Sequence, residues 1–158
     1  MTRRYLLACL GLIGVLVAGC GVRPSGVITG LPAPTEQVSG VTLYFLANSA
    51  LTPVVRPMRQ LQPVWPTQTL TLLQHGPNAD ERAANLTSEV PPGLNPVTVT
   101  TDASGDVDVV VSADVTTLST AAVDQIVCTV RDALATIAPI TLTSDAGTRE
   151  PRLCPLTG

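Results

Sequence analysis

The hydrophobic pattern of the chain predicts six main elements. β-Branched and aromatic runs indicate strands, and apolar residues spaced three or four apart indicate helices. In chain order these are strand 41–46, helix 67–76, strand 96–101, strand 107–112, helix 118–135 and strand 139–143. The β-α-β-β-α-β order predicts a single small α+β domain, with a mixed or antiparallel sheet and helices on one face.

The predicted strands show where the sheet turns and where it ends. In the first strand, alternation assigns Val41, Leu43 and Phe45 to one face. Residues 54–56 are predicted to form a short edge strand, because they lie between prolines, which cannot donate to a ladder. The short loop 102–106 joins two alternating runs and predicts a hairpin.

The predicted helices differ in length and amphipathicity. In the first, Thr67 is the candidate N-cap, and Gly76 suits the left-handed position after the last turn. A polar turn or short helix is predicted to follow over 78–86. The longest helix has an apolar stripe formed by Ala122, Val123, Ile126, Val127, Val130 and Leu134. Its other side is formed by Asp124, Gln125, Arg131 and Asp132.

The N-terminal residues have the pattern of a bacterial lipoprotein leader. Arg3 and Arg4 precede an apolar run that is too short to span a bilayer stably. The run ends in Leu-Val-Ala-Gly-Cys at 16–20, which is a lipobox. The pattern predicts cleavage before Cys20 and lipid attachment to its thiol. The alternatives are an ordinary secreted protein with a chance cysteine and an uncleaved anchor.

The leader divides the chain into three predicted parts. Residues 1–19 are the signal peptide, and residues 20–40 are the lipidated cysteine with a Gly- and Pro-rich tether. Residues 41–158 are the folded domain with its C-terminal tail. This division places the domain outside the cytoplasm, tied to the outer face of the cell membrane.

The composition argues against several classes of binding partner. Without the leader, seven basic and twelve acidic residues remain, a net charge of −5, and the chain contains no lysine. This argues against a surface that binds nucleic acid or anionic lipid, which requires clustered positive charge. Aromatic residues are only 3% of the chain, so platforms that stack on bases or sugars are not expected either.

Two cysteines remain after the leader and the lipid site are set aside. Cys128 and Cys154 form an even pair in an oxidising compartment, which predicts a disulfide. The alternative is a pair of free buried thiols. A metal site is less favoured, because His75 is the only histidine and no ligand spacing recurs.

Several segments together resemble the GerMN domain, over residues 41 to about 143. They are VTLYF at 41–45, LTPVVR at 51–56, LTLLQHGP at 70–77, EVPPG at 89–93, DVVVS at 108–112 and QIVCT at 125–129. The leader, with Cys20-Gly21-Val22, resembles that of actinobacterial GerMN lipoproteins. The resemblance implies a small α/β domain similar to ring-building motif domains. It also implies a cell-envelope role, linked in some bacteria to sporulation and germination and in others to envelope regulation, and no known catalytic residues.

Three groups of residues are candidate sites. Trp65, the only tryptophan, lies in a Pro-rich segment, where it either anchors a partner or folds over the core. Asp102, Asp106 and Asp108, with Asp114, form an acidic cluster near the hairpin, which is either a solvated surface or a Ca²⁺ site. His75 is placed to bond the last carbonyls of its helix.

These observations favour a non-enzymatic lipoprotein that binds another protein of the cell envelope. We expect no cofactor, and the sequence leaves the oligomeric state open. The alternative is a lipoprotein that binds a solute or a cell-wall fragment. A hydrolase is the third hypothesis, and it lacks a nucleophile motif such as G-x-S-x-G.

Overall fold

A computed structural model describes residues 40–58, 64–94 and 97–156. Along this part of the chain the elements are β1 (Gly40–Ala47), β2 (Ala50–Pro57), α1 (Pro66–Gln74), α2 (Ala79–Ala83), β3 (Leu86–Thr87), β4 (Thr98–Thr101), β5 (Val107–Val110), a 3-10 helix (Val115–Thr117), α3 (Thr120–Leu134), β6 (Ile140–Ser144) and β7 (Gly147–Thr148). The α+β class is confirmed. The predicted leader, Cys20 and most of the tether lie outside the described residues.

The strands divide between two sheets. The first has the order β2-β1-β3 and is antiparallel. The second has the order β4-β5-β6-β7, and it is mixed because β5 and β6 run parallel while the outer pairs are antiparallel. The predicted hairpin is confirmed as the β4–β5 pair. The long helix α3 is the crossover between the parallel strands, as such connections usually are.

The β2 edge contains both prolines that flank its predicted core. The strand is longer than expected, because it pairs with β1 from Ala50 through Pro57. Pro53 lies opposite Tyr44, whose backbone groups bond to α3. Proline is tolerated here because no amide is needed towards β1, and the edge position of β2 is confirmed.

Helix α1 begins two residues earlier than an N-cap at Thr67 would place it. Trp65 is the N-cap residue and Pro66 occupies the first turn, so the assignment of the cap to Thr67 was wrong. Proline is favoured here because its fixed φ suits a helix start and its missing amide is not needed. Gly76 has φ +73°, as predicted for the residue that ends the helix. The His75 ring bonds the carbonyl of Thr71, which confirms its predicted role at the helix end.

The helices α2 and α3 begin at polar caps. The Asn78 side chain accepts from the Glu81 amide, and the Glu81 carboxylate accepts from the Asn78 amide, which is a capping box. The Ser119 hydroxyl accepts from the Ala122 amide at the start of α3. The predicted short helix over part of 78–86 is therefore confirmed, and so is the long helix.

The core forms where α1 and α3 pack with the two sheets. The apolar stripe of α3 is buried at every position except Leu134, which packs against the core while partly exposed. The largest fully buried side chains of the core include Phe45, Leu43, Leu70, Leu73, Leu94, Ile126, Ile140 and Leu142. β1 is buried on both faces, since Tyr44 and Leu46 are covered as well as the predicted inner residues.

Candidate interaction surface

Side chains of α3 complete the edge of β1 where β3 ends. β3 pairs with β1 only at Leu46 and Ala47. Beyond this point the Tyr44 amide donates to Thr129 Oγ1 at 3.2 Å, and the Tyr44 carbonyl accepts from Gln125 Nε2 at 2.8 Å. Gln125 Oε1 also accepts from the Glu89 amide at 2.9 Å. One amide side chain thus links two backbone segments that no strand pairing joins.

The burial of Gln125 corrects the sequence interpretation, which assigned it to the polar side of α3. Gln125 and Thr129 are both fully buried. Helical periodicity reports only the angle of a side chain around the axis. It does not report a neighbouring strand that presents unpaired amide and carbonyl groups. The nearest signal in the sequence is that Gln125 and Thr129, whose side chains can bond to a backbone, are four residues apart.

The hydroxyl of Tyr44 lies at a second polar contact with α3. It donates to Asp132 Oδ2 at 2.8 Å and accepts from Arg131 Nη2 at 3.0 Å. Burial, followed by the bond to Asp132, raises the pKa of the Tyr44 hydroxyl. Arg131 also donates to the carbonyl of Leu156, so this cluster connects β1, α3 and the C-terminal tail.

An ion pair fastens β2 to the helix α2. Arg56 donates to both carboxylate oxygens of Glu81, at 2.9 and 2.6 Å, and to the Gly76 carbonyl at 2.8 Å. Its guanidinium also lies 5.3 Å from the ring centre of Phe45. The hydrogen bonds from Arg56 hold the pKa of Glu81 below its ordinary value. These contacts have a structural role, because Arg56 and Glu81 bond to groups within the domain.

Trp65 is presented on the surface by a fixed backbone. Its side chain is 69% exposed, so it does not cover the core. Its carbonyl accepts from the amides of Gln68 and Thr69, at 2.9 and 3.1 Å, and from the Thr69 hydroxyl at 3.3 Å. Pro66 restricts the backbone further. The exposed indole is therefore attached to an ordered helix start.

The tail after β7 is attached along the outer edge of β6. The Arg149 amide donates to the Leu142 carbonyl, and Ile140 and Arg152 exchange two backbone hydrogen bonds of 2.9 Å. The predicted disulfide is present between Cys128 on α3 and Cys154, with 4.8 Å between the Cα atoms. The tail therefore extends the second sheet and is covalently attached to the helix that crosses it.

A groove of about 330 Å³ lies beside this tail. It is lined by Val123, Arg149, Glu150, Pro151 and Arg152. The Arg149 Nη1 group donates to the carbonyls of Val115 and Leu118, at 3.1 and 2.8 Å. Arg152 forms an ion pair with Asp124. Both guanidinium groups thus have structural partners, and both also line the groove.

The acidic residues near the hairpin have separate roles. Asp102 Oδ1 accepts from the amides of Ser104 and Asp106, both at 2.9 Å, and so shapes the loop. The Ser104 hydroxyl, its main hydrogen-bond donor, lowers the pKa of Asp102. Asp108 accepts from Thr143 at 2.8 Å, and Asp114 caps the 3-10 helix. Among the described residues, no group of three His, Cys, Asp or Glu residues is arranged to hold a metal ion.

Within residues 40–58, 64–94 and 97–156, none of the helices has the length and apolar character needed to cross a membrane.

The fold defines the class of the protein as a small α+β domain with two sheets and a long helix that crosses over between the parallel strands of the second sheet. A family model described as "Germane: Sporulation and spore germination" matches residues 42–148, about two thirds of the chain. The chain belongs to this family, as the GerMN-like segments predicted. No curated protein and no solved structure shows a significant match to the chain.

Proposed function

We propose that this protein is a lipid-anchored extracytoplasmic member of the Germane family whose domain binds another protein of the cell envelope. The family describes the role coarsely as sporulation and spore germination. The observation that carries the proposed binding is the exposed Trp65 side chain on a fixed backbone.

Trp65 has the physical properties of a protein-binding residue. Tryptophan is enriched among the residues that contribute most to interfaces, because its large ring buries much apolar surface. Its backbone is already ordered by the start of α1, so association loses little backbone entropy there. The indole N–H remains able to donate to a partner.

A site-specific photo-crosslinker tests this surface in living cells. A benzophenone amino acid at position 65 is expected to capture one envelope protein reproducibly. The matched control carries the same group at Val110, which is exposed on β5. Trp65→Ala should also reduce recovery of the captured protein at least tenfold, since interface tryptophans often contribute more than about 2 kcal/mol. Equal capture at the two positions would refute the role of Trp65.

The lipid anchor is proposed from the lipobox that ends at Cys20. Two or three acyl chains hold a protein at a bilayer durably, where one chain does not. The wild-type protein is expected to have the mass of an acylated chain that begins at Cys20 and to partition with membranes. Cys20→Ala should lose the acyl mass and the partition. An unchanged mass would refute the anchor, whatever the outcome at Trp65.

The groove beside the tail supports a second candidate, the binding of a small solute or cell-wall fragment. Two guanidinium groups line it, and guanidinium recognises carboxylate. Titration calorimetry with a muramyl dipeptide tests this function directly. Saturable binding that is lost in Arg152→Met would support it. Heats equal to dilution would exclude this ligand.

A further inference from the structure

The end of the domain at which the chain enters β1 also carries exposed apolar side chains. Ile137, in the loop 135–139 between α3 and β6, is 92% exposed. Leu153, in the tail, is 59% exposed. Pro139 and Pro155 are exposed as well. We call these four residues the apolar end, and none of them contributes to the Trp65 surface.

Contacts of the tail hold the apolar end together. The backbone bonds between Ile140 and Arg152 make Pro139 and Leu153 the next residues outward from a paired position. The disulfide fixes Cys154, which lies between Leu153 and Pro155. Two segments that are distant in sequence thus place Pro139 opposite Leu153, two residues after the exposed Ile137.

The direction of α3 places the start of β1 at the same end. The Tyr44 carbonyl bonds to Gln125 and its amide bonds to Thr129, so α3 runs antiparallel to β1. Gly40 therefore lies towards the C-terminal end of α3, where the loop of Ile137 begins. The 39 residues that precede Gly40, including the lipobox, join the domain at this end.

We propose that the apolar end contacts the lipid bilayer to which the chain is anchored. The proposal rests on lipidation of Cys20, because the anchor makes the contact an intramolecular one and raises its effective concentration. The greatest span of the 20 residue steps from Cys20 to Gly40 is about 70 Å, so the chain length alone leaves the orientation of the domain open. Burial of Ile137 and Leu153 at the bilayer surface would favour one orientation, by removing apolar area from water.

The charges near this end indicate what kind of contact it is. Asp102 and Asp106, in the β4–β5 loop, lie at the same end of the second sheet, since Val107 pairs with Ile140. Their carboxylates would repel anionic headgroups. The contact is therefore apolar, and raising the ionic strength should not weaken it.

Photo-crosslinking of the full-length lipidated protein in phosphatidylcholine vesicles tests the contact. Acylation is confirmed first by mass, so failure of the anchor is seen separately. A benzophenone amino acid at position 137 is expected to form lipid adducts at least fivefold more often than one at position 110. The excess should persist in 1 M NaCl. Substitution at 137 should not affect folding, because that side chain is almost fully exposed.

Three results would overturn the proposal while leaving the anchor intact. Equal lipid adducts at positions 137 and 110 would mean that tethering alone brings the domain near lipid. Absence of lipid adducts at 137 would mean that the apolar end faces away from the bilayer. In cells, capture of a protein at 137 in place of lipid would also overturn it, and would identify the apolar end as a protein-docking surface.

Discussion

The two sheets each contain a strand that is only partly paired, and they complete the missing edge in different ways. In the first sheet, β3 pairs with β1 only from Leu46 onward, and before this point buried side chains of α3 bond the backbone of Tyr44. In the second, β7 pairs with β6 only from Thr143 onward, and before this point the backbone of residues 149–152 continues the edge.

The difference lies in what a substitution can remove. Backbone groups complete the edge of β6, so no change of side chain other than to proline deletes those bonds. The disulfide and the ion pair of Arg152 only hold the segment in place. The edge of β1 depends on two side chains, so their loss leaves buried polar groups without partners, which is costly. We therefore expect the first edge to be the more sensitive of the two.

The largest effect is expected for Gln125→Leu. The change leaves the buried Tyr44 carbonyl and the partly buried Glu89 amide without their partner. The free energy of unfolding should fall by about 4 kcal/mol, since each orphaned group costs about 1–3 kcal/mol. Urea unfolding measures it, with Gln68→Leu as the matched control on an exposed helical position. Equal losses for the two variants would remove the distinction between the edges.

The second largest loss of stability is expected on removal of the disulfide. Replacing both Cys128 and Cys154 by alanine opens a loop between positions 26 apart. The chain-entropy relation for such a loop gives a loss of about 3.5 kcal/mol. Thermal unfolding with and without a reductant checks it, because the reduced wild type should match the double variant. Full stability of the reduced protein would show that the backbone bonds of the tail suffice alone.

Thr129→Val is expected to have a smaller effect than Gln125→Leu. The substitution keeps the shape of the side chain but removes the oxygen that accepts from the Tyr44 amide. One unsatisfied amide should cost about 2 kcal/mol. Thr120→Val, at an exposed position of the same helix, is the control, and urea unfolding is again the measurement. A loss as large as that of Gln125→Leu would mean that the two bonds fail together.

The ion pair of Arg152 with Asp124 should contribute least. It joins the tail to α3, and the arginine side chain is 43% exposed. A double-mutant cycle with Arg152→Ala and Asp124→Ala should give a coupling below about 1 kcal/mol. The coupling should decrease further in 1 M salt, which screens exposed charges. A coupling energy larger than the loss of stability in Thr129→Val would reverse the ranking of the two edges.

Sequence reasoning predicted the elements better than their arrangement. The long helix, the hairpin and the last strand follow from periods of 3.6 and 2, which are local properties of the chain. The same periods do not report that the strands divide between two sheets, because pairing joins residues that are distant in sequence. They also missed β3 and β7, which are two residues each and too short to show a period.

The sequence identified a candidate residue for the interaction surface, but it did not show which apolar side chains are exposed. Trp65 was singled out as the only tryptophan, and its exposure decides that it is available to a partner. Ile137 gave no signal, because a lone isoleucine in a short loop is as often covered as exposed. Only the packing of α3 against the sheets shows that its side chain remains outside the core.

The sequence by itself determined the class, the family, the pairing of Cys128 with Cys154 and the element boundaries to within a few residues. These depend on local propensity, on turn residues and on the count of cysteines. The tertiary structure alone decided that Gln125 and Thr129 are buried at the edge of β1 and that Ile137 is exposed in the loop before β6. The reason is physical: burial of a polar side chain is stable only where it finds a hydrogen-bond partner, and for Gln125 and Thr129 a distant backbone supplies it.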